Sequence, residues 1–316
     1  FVREVYPHTQ VIEAGRNMGF AAGNNLGARL ATSDYLALIN NDARAAPRWL
    51  RAMVEVLEGQ PDVACAASKI LDQDGKTIDF VGPVMNLYGR SFQIDEGLPV
   101  APGFYDEPRE LLAPCGGAMM IRRDVFWQVG GFDEDYIAYF EDLDLGWRLW
   151  LCGYKVLFVP DAIVYHRQHQ TGAGFPVEQR YTLSEANALR TVIKNYEEEN
   201  LWRVLPFTLF MGVKRSLDQA MLDRERYELG YPVPGDAQAG AVEPEPRMTR
   251  VATSILVAVD RVADEMPRLL EKRRRIQAAR VRSDEEIFAR FPMRPDNWIF
   301  PWRRYHVVQD QLAREL

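Results

Sequence analysis

The sequence predicts an α/β protein: a mainly parallel sheet flanked by helices, with a helical extension at the C-terminal side. Three observations carry that prediction. Short apolar runs alternate with segments of helical period as far as about residue 172. Those runs are continuous rather than alternating, as strands buried on both faces are. Past residue 172 the strand signals stop and long helical periodicity takes over.

Taken in order, "TQVIEA" (9–14) reads as a short strand closed by Gly15. "NMGFAAGNNLGARLA" (17–31) is a Gly/Asn-rich approach to a helix. "DYLALINNDA" (34–43) is an apolar run ending in polar residues, the pattern of a buried parallel strand. "PRWLRAMVEVLEG" has Pro47 at a helix start and Gly59 at its end. "VACAASKIL" (63–71) is a buried strand, and Gly75 to Pro114 reads as loops with short strands. "CGGAMMI" (115–121) resumes a strand, and "RDVFWQVGG" (123–131) is a short helix. A helix is expected from about Glu141 to Cys152, then two short strands, "KVLFV" (155–159) and "AIVYHR" (162–167). The expected organisation is a strand-and-helix domain over 1–172, a helical extension over 173–230, a Pro/Gly-rich linker over 231–247 and a helical segment over 248–316.

Composition narrows the function. A net charge of -7 over 316 residues argues against nucleic-acid binding, which normally shows a basic face. The three cysteines, Cys65, Cys115 and Cys152, form no CxxC pair and suit a reducing compartment. No apolar stretch reaches the roughly 18 residues of a membrane span.

Four pieces are candidates for chemistry. In "LINNDA", Asn40 and Asp42 stand at the end of a strand, where open α/β sheets bind ligands and an Asp can hold a divalent cation. The same residues also suit a turn capping the next helix. In "YFEDLDLGWRLWLCGY", Glu141, Asp142 and Asp144 fall in a first helical turn, where the helix dipole favours ionised carboxylates. Asp144 and Arg148 are spaced to pair, which marks Asp144 as structural. Asp142 shares a side with Leu145 and is expected to face a cleft as a general base. The plainer alternative is a solvated acidic turn. His166 ends a strand in a chain of four histidines and is a possible metal ligand or an ordinary packed residue. In "AGRNMGFAAGNNLG", the glycines and asparagines at the helix start can offer N–H groups to a phosphate or serve a tight turn.

In this order the pieces resemble the family 2 glycosyltransferases of the GT-A fold, over about Val11 to Gly172. The most specific stretch is "CGGAMMIRRDVFWQVGGFDEDYIAYFEDLDLGWRLWLCGYKV", followed by "VYHR". The resemblance implies an inverting, metal-dependent enzyme that moves one sugar from a nucleotide-diphosphate sugar to a hydroxyl of a glycan or lipid-linked acceptor. It implies Asp142 as catalytic base with Glu141 beside it. It puts Asp42 and His166 on a Mn²⁺ or Mg²⁺ ion. It assigns Arg16, Asn17, Gly19, Asn24, Asn40, Gly116 and Gly117 to the substrates. Rhamnose is the favoured sugar, by likeness to bacterial rhamnosyl- and galactofuranosyl-transferases. No Q-x-x-R-W motif of processive synthases is present, which points to single-sugar transfer. The family's opening strands are not found ahead of Val11, so an N-terminally truncated domain is expected. The implied location is cytoplasmic, peripheral at the inner membrane face, with "FTLFMGVKR" and "EKRRRIQAARVR" as stretches able to touch lipid or simply to pack. A non-catalytic binding or assembly module is the alternative from another class.

Overall fold

The computed structural model describes residues 2–167, 175–220 and 248–292. Four strands form the body of its sheet: β1 (Tyr35–Ile39), β3 (Val63–Asp72), β8 (Ala118–Arg122) and β9 (Lys155–His166). β2 (Ala43–Ala45) lies at the end beside β9, while β4 (Ile78–Phe80) and β7 (Arg109–Glu110) pair with β3 and β9. The order along the sheet is β1-β8-β3-β9-β2. β5 (Pro83–Met85) and β6 (Ser91–Gln93) make a separate two-stranded pair.

The sheet is mixed in direction. β3 and β9 run parallel, and the other strand pairs of this sheet are antiparallel. β1 pairs antiparallel with β8 and is partly exposed, where the sequence suggested a buried parallel strand. β3 is buried along nine of its ten residues, as its unbroken apolar run requires. Its small residues Ala64, Ala66 and Ala67 leave room for layers on both faces.

After the short exposed helix α1 (Val2–Val5), helices α2 (Gly19–Leu30), α3 (Trp49–Gly59), α4 (Arg123–Gln128) and α5 (Glu141–Leu151) belong to this layer arrangement. α5 is buried at nearly every position and sits very close to the segment before β8. A Cβ on Gly146 would lie 2.4 Å from the Ala113 Cβ, so only glycine admits that approach. The extension supplies α6 (Val177–Asn195), α7 (Glu198–Gln219), α8 (Arg250–Asp264), α9 (Met266–Ala278) and α10 (Asp284–Arg290). It is bound firmly to α5: Arg282 donates to the carbonyls of Trp150, Gly153 and Tyr154 at 3.2, 2.6 and 2.7 Å.

Two expected elements differ. "TQVIEA" forms no strand; residues 2–17 are exposed throughout and no neighbouring strand offers Val11 and Ile12 a ladder. "KVLFV" and "AIVYHR" are one strand, because β9 carries an irregularity past Pro160 and resumes pairing with β3 at Ile163. The expected linker falls on residues outside those described. Among the described residues no helix is long and apolar enough to cross a membrane.

Candidate active site

β2 and β9 set the first half of the site. Their register pairs Ala43 with His166 and so brings Asp42 against the imidazole. His166 Nε2 lies 3.2 Å from Asp42 Oδ1, and its Nδ1 lies 2.6 Å from Asp79 Oδ2. The Asp79 hydrogen bond raises the His166 pKa above the ordinary imidazole value, against the opposing pull of burial. Asp42 Oδ2 is buried and has no hydrogen-bond partner. A buried carboxylate oxygen left without a donor beside an imidazole nitrogen fits a divalent cation. The Asp79–His166 contact is the carboxylate–histidine arrangement that orients metal-binding imidazoles. Among the described residues no group of three or more His, Cys, Asp or Glu forms a complete protein cage for a metal ion. The remaining ligands of such an ion would come from substrate oxygens and water.

The second half is the start of α5 against the start of β8. Asp142 Oδ2 accepts from the Gly116 N–H at 2.9 Å, and its Oδ1 accepts from Leu143 N–H at 2.8 Å. A Cβ on Gly116 would meet the Phe20 ring at 2.8 Å, and one on Gly117 would meet the Asn40 amide at 3.1 Å. Asn40 N–H donates to the Gly117 carbonyl at 2.8 Å, which ties the end of β1 to the same turn. Burial pushes the Asp142 pKa up, opposed by the N–H groups of Gly116 and Leu143. Burial, then the neighbouring Asp142 charge, pushes Glu141 well up. The helix dipole, worth about 0.3–1 kcal/mol in favour of the ionised forms, is opposed here by loss of hydration, and the net direction for both carboxyls is upward.

Asp144 follows the expected pattern. Its carboxylate binds Arg148 Nε at 2.9 Å and Lys194 Nζ at 2.9 Å, fully buried. Burial alone would raise its pKa, but the Arg148 and Lys194 charges bring it below the usual value.

Cys115 joins the two halves. Burial raises its thiol pKa, and the charges of Asp142, Asp79 and Glu141 raise it further, so it stands within electrostatic reach of both carboxylate groups. Sequence reasoning missed Asp79 and Cys115. Asp79 lies in a three-residue strand with no motif around it, and only the pairing of β3 with β4 brings it to His166.

The donor-side residues are brought in unevenly. Gly19 N–H binds Asn17 Oδ1 at 2.9 Å, and Gly19 has φ +79° with its would-be Cβ only 2.7 Å from the Ile137 carbonyl oxygen. Phe20 N–H donates to that carbonyl at 2.7 Å, which links the start of α2 to the loop before α5. Asn24 spends its amide on the Phe20 carbonyl at 2.9 Å within its own helix. Arg16 is exposed and has no hydrogen bond or ion pair among the described residues. The next asparagine, Asn25, is the buried one, and it bonds both the N–H and the carbonyl of Phe132.

On the far side of the Ile137 loop lies a cavity of about 650 Å³ between α6 and α8. Ile137, Phe175, Leu183 and Val257 give it an apolar wall, and Arg250 and Arg261 also line it.

Residues 2–130 match the profile of glycosyl transferase family 2, and residues 105–170 match that described as the N-terminal domain of galactosyltransferase. A relative from Mycobacterium tuberculosis, N-acetylglucosaminyl-diphospho-decaprenol L-rhamnosyltransferase, is 29% identical over 189 residues, covering 53% of this chain and 62% of the relative. The O-antigen biosynthesis protein RfbC of Myxococcus xanthus is 29% identical over 174 residues, 53% of this chain and 14% of that protein. The chain thus spans less than two thirds of either relative. A solved structure of GalNAc-T7 with UDP, GalNAc and Mn²⁺ superposes with a TM-score of 0.49 at 21% identity, over 63% of this chain and 39% of that one.

Proposed function

We propose that this chain, which carries a family 2 glycosyltransferase domain, transfers one sugar from a nucleotide-diphosphate sugar to a hydroxyl group with inversion at the anomeric carbon. The observation that carries this reading is the pair of differently held carboxylates at the end of β1 and the start of α5, whose segments are tied by the Asn40 N–H to Gly117 carbonyl bond. Asp142 is anchored by a backbone N–H on each oxygen, and Asp42 keeps a buried oxygen with no partner.

Asp142 accepts the proton of the acceptor hydroxyl as that oxygen attacks the anomeric carbon. The bond from that carbon to the diphosphate breaks, and its electron pair leaves with the diphosphate. The raised pKa of Asp142 makes it a stronger base than an ordinary carboxylate, and such assistance is worth about 10²–10⁴-fold. The Gly116 and Leu143 N–H groups fix the carboxylate's orientation without neutralising it. Asp42 and His166 would hold the Mn²⁺ or Mg²⁺ ion, and Asp79 would keep Nε2 of His166 turned toward it. The chemistry a bound ion supplies there is neutralisation of charge on the leaving diphosphate.

We assign dTDP-rhamnose as the donor and a lipid-linked glycan as the acceptor; the mycobacterial relative, an L-rhamnosyltransferase named for N-acetylglucosaminyl-diphospho-decaprenol, supports the sugar and the class of acceptor. The cavity behind the Ile137 loop has an apolar wall that suits the lipid part of such an acceptor, with Arg261 and the Arg250–Glu178 pair among its polar lining. Work on a lipid-linked acceptor implies peripheral contact with the inner face of the cytoplasmic membrane.

The test is turnover of dTDP-rhamnose with a polyprenyl-diphosphate-linked N-acetylglucosamine by the chain and by its Asp142→Asn variant. Donor binding is followed in parallel by calorimetry. A loss of at least about 10²-fold in kcat with donor binding retained is the expected result. Undiminished turnover by the variant overturns the assignment of the base.

A further inference from the structure

We propose that Asn187, on the helical extension, is a positioning residue for this transfer: its side-chain amide holds the left-handed loop that aims Asp142. The proposal rests on the reading of Asp142 as the base.

The loop before α5 has an unusual backbone. Ile137, Tyr139 and Phe140 have φ of 62°, 69° and 70°. This region is sparsely used by non-glycine residues and is a true outlier for a β-branched one. No glycine occurs between Asp133 and Gly146 to make it easy. Something outside the loop must hold it, and two groups do. On one side Phe20 N–H takes the Ile137 carbonyl. On the other, Asn187 Nδ2 donates to the carbonyls of Tyr136, Ala138 and Tyr139 at 3.0, 2.9 and 2.7 Å. Three carbonyls from four consecutive residues converge on one amide group because the positive-φ residues between them turn the chain.

The orientation of that amide is chemically determined. Carbonyls only accept, so the nitrogen must face them. The Asn187 oxygen in turn receives Arg190 Nη1, and a guanidinium only donates. Arg190 is itself held by Glu265, through Nε at 2.9 Å and Nη2 at 2.7 Å. Asn187 is fully buried and Arg190 nearly so, which keeps water from replacing these bonds. A line of contacts therefore runs from Glu265, at the junction of α8 and α9, through Arg190 and Asn187 to the loop. The loop ends where the Phe140 carbonyl receives Asp144 N–H and α5 begins, with Asp142 in that first turn. An acid placed by its backbone inherits the position of that backbone, and a misplacement of about 1 Å can cost about 10²-fold in rate.

A double-mutant cycle tests the proposal on the full chain: wild type, Asn187→Ala, Asp142→Asn and the double variant. Thermal melts and donor calorimetry confirm that each is folded and loaded. The expected result is a kcat about 10- to 100-fold lower for Asn187→Ala, with donor affinity unchanged. In the Asp142→Asn background the same substitution costs at most about 2-fold, because effects that act through one group are not additive. The acid limb of the kcat profile moves to lower pH in Asn187→Ala as the Asp142 turn loosens and hydrates. Asn187→Asp, of the same shape but without donors, replaces the alanine variant if that one does not fold, and gives the same loss. Unchanged kcat in a folded Asn187 variant, or an equal loss in both backgrounds, overturns the positioning role. Full turnover in Asp142→Asn alone marks the failure of the base assignment instead.

Discussion

Asp142 and Asp144 sit two residues apart on one helical turn, and their surroundings differ in kind. Asp144 faces the extension and meets Arg148, Lys194, Asn195 Nδ2 and the Tyr136 hydroxyl in a dry interior. Asp142 lies against the turn before β8 and, among the described residues, meets only backbone N–H groups. Burial pushes both carboxyls toward protonation, and only Asp144 has cations to overcome it. The difference teaches that first-turn position does not make a carboxylate catalytic. In the proposed mechanism what matters is that Asp142 has no cation on its carboxylate, which leaves the group free to take a proton.

The strongest way to break this contrast is to take the charge from the structural side. Asp144→Asn leaves Arg148 and Lys194 buried with less than their share of negative charge. A loss of about 3–5 kcal/mol is expected in denaturant unfolding. The pH dependence carries the matching sign. The Asp144 pKa is lowered on folding, so its contribution is present above the unfolded Asp value of about 3.9 and is lost as pH falls through the folded value. A variant as stable as wild type at pH 7 would mean that the ion cluster contributes nothing.

Next is the cleft side. Asp142→Asn costs at least about 10²-fold in kcat, as above, while the melting temperature stays level or rises. Because burial raises the Asp142 pKa, the acid limb of kcat in the wild type is expected above the ordinary carboxylate range. A limb at or below about pH 3.9 would contradict the desolvated-base picture.

A smaller effect is expected at the cation pair. Chelation with EDTA abolishes transfer and Mn²⁺ or Mg²⁺ restores it. Asp79→Asn raises the cation concentration needed for activity by about 10- to 100-fold through His166, although Asp79 is itself no ligand in this assignment. Titrating Mn²⁺ against rate measures it, and an unshifted midpoint removes Asp79 from the site.

The smallest effect sharpens the comparison from between the two aspartates. Glu141 is buried with one oxygen lacking a partner, and burial together with Asp142 raises its pKa. A raised folded pKa gives stability that is present below the unfolded Glu value of about 4.3 and lost as pH rises. Glu141→Gln should therefore gain on the order of 1 kcal/mol at neutral pH, and nothing below about pH 4. Melting curves across that range decide it.

Much of this contrast was legible in the sequence. The i, i+4 spacing of Asp144 and Arg148 identified the structural acid, and the helix start expected near Glu141 placed Asp142 in the first turn of α5. Asp42 and His166 were also legible as strand-end residues, and they meet as expected. The sign of the pKa shifts was not, because a first-turn position reveals the dipole but not how dry the turn is. Asp79 was hidden because its partner comes from a strand pairing 87 residues away. Asn187 was hidden because it bonds to backbone carbonyls, which every residue has and no motif marks. "TQVIEA" misled because strand propensity means little without a neighbour to pair with.

The cluster behind α5 also has a temporal side. Asp133 pairs with Lys194 and, 139 residues later in the chain, with Lys272. A ribosome adding about 5–20 residues per second needs about 7 to 28 s to cover that distance. Through that interval the acidic turn exists as nascent chain without its last cation, while β3, β8 and the sheet face of α5 are already available to collapse. Completion of this ion cluster therefore waits until α9 has been synthesised, well after the residues of the turn itself.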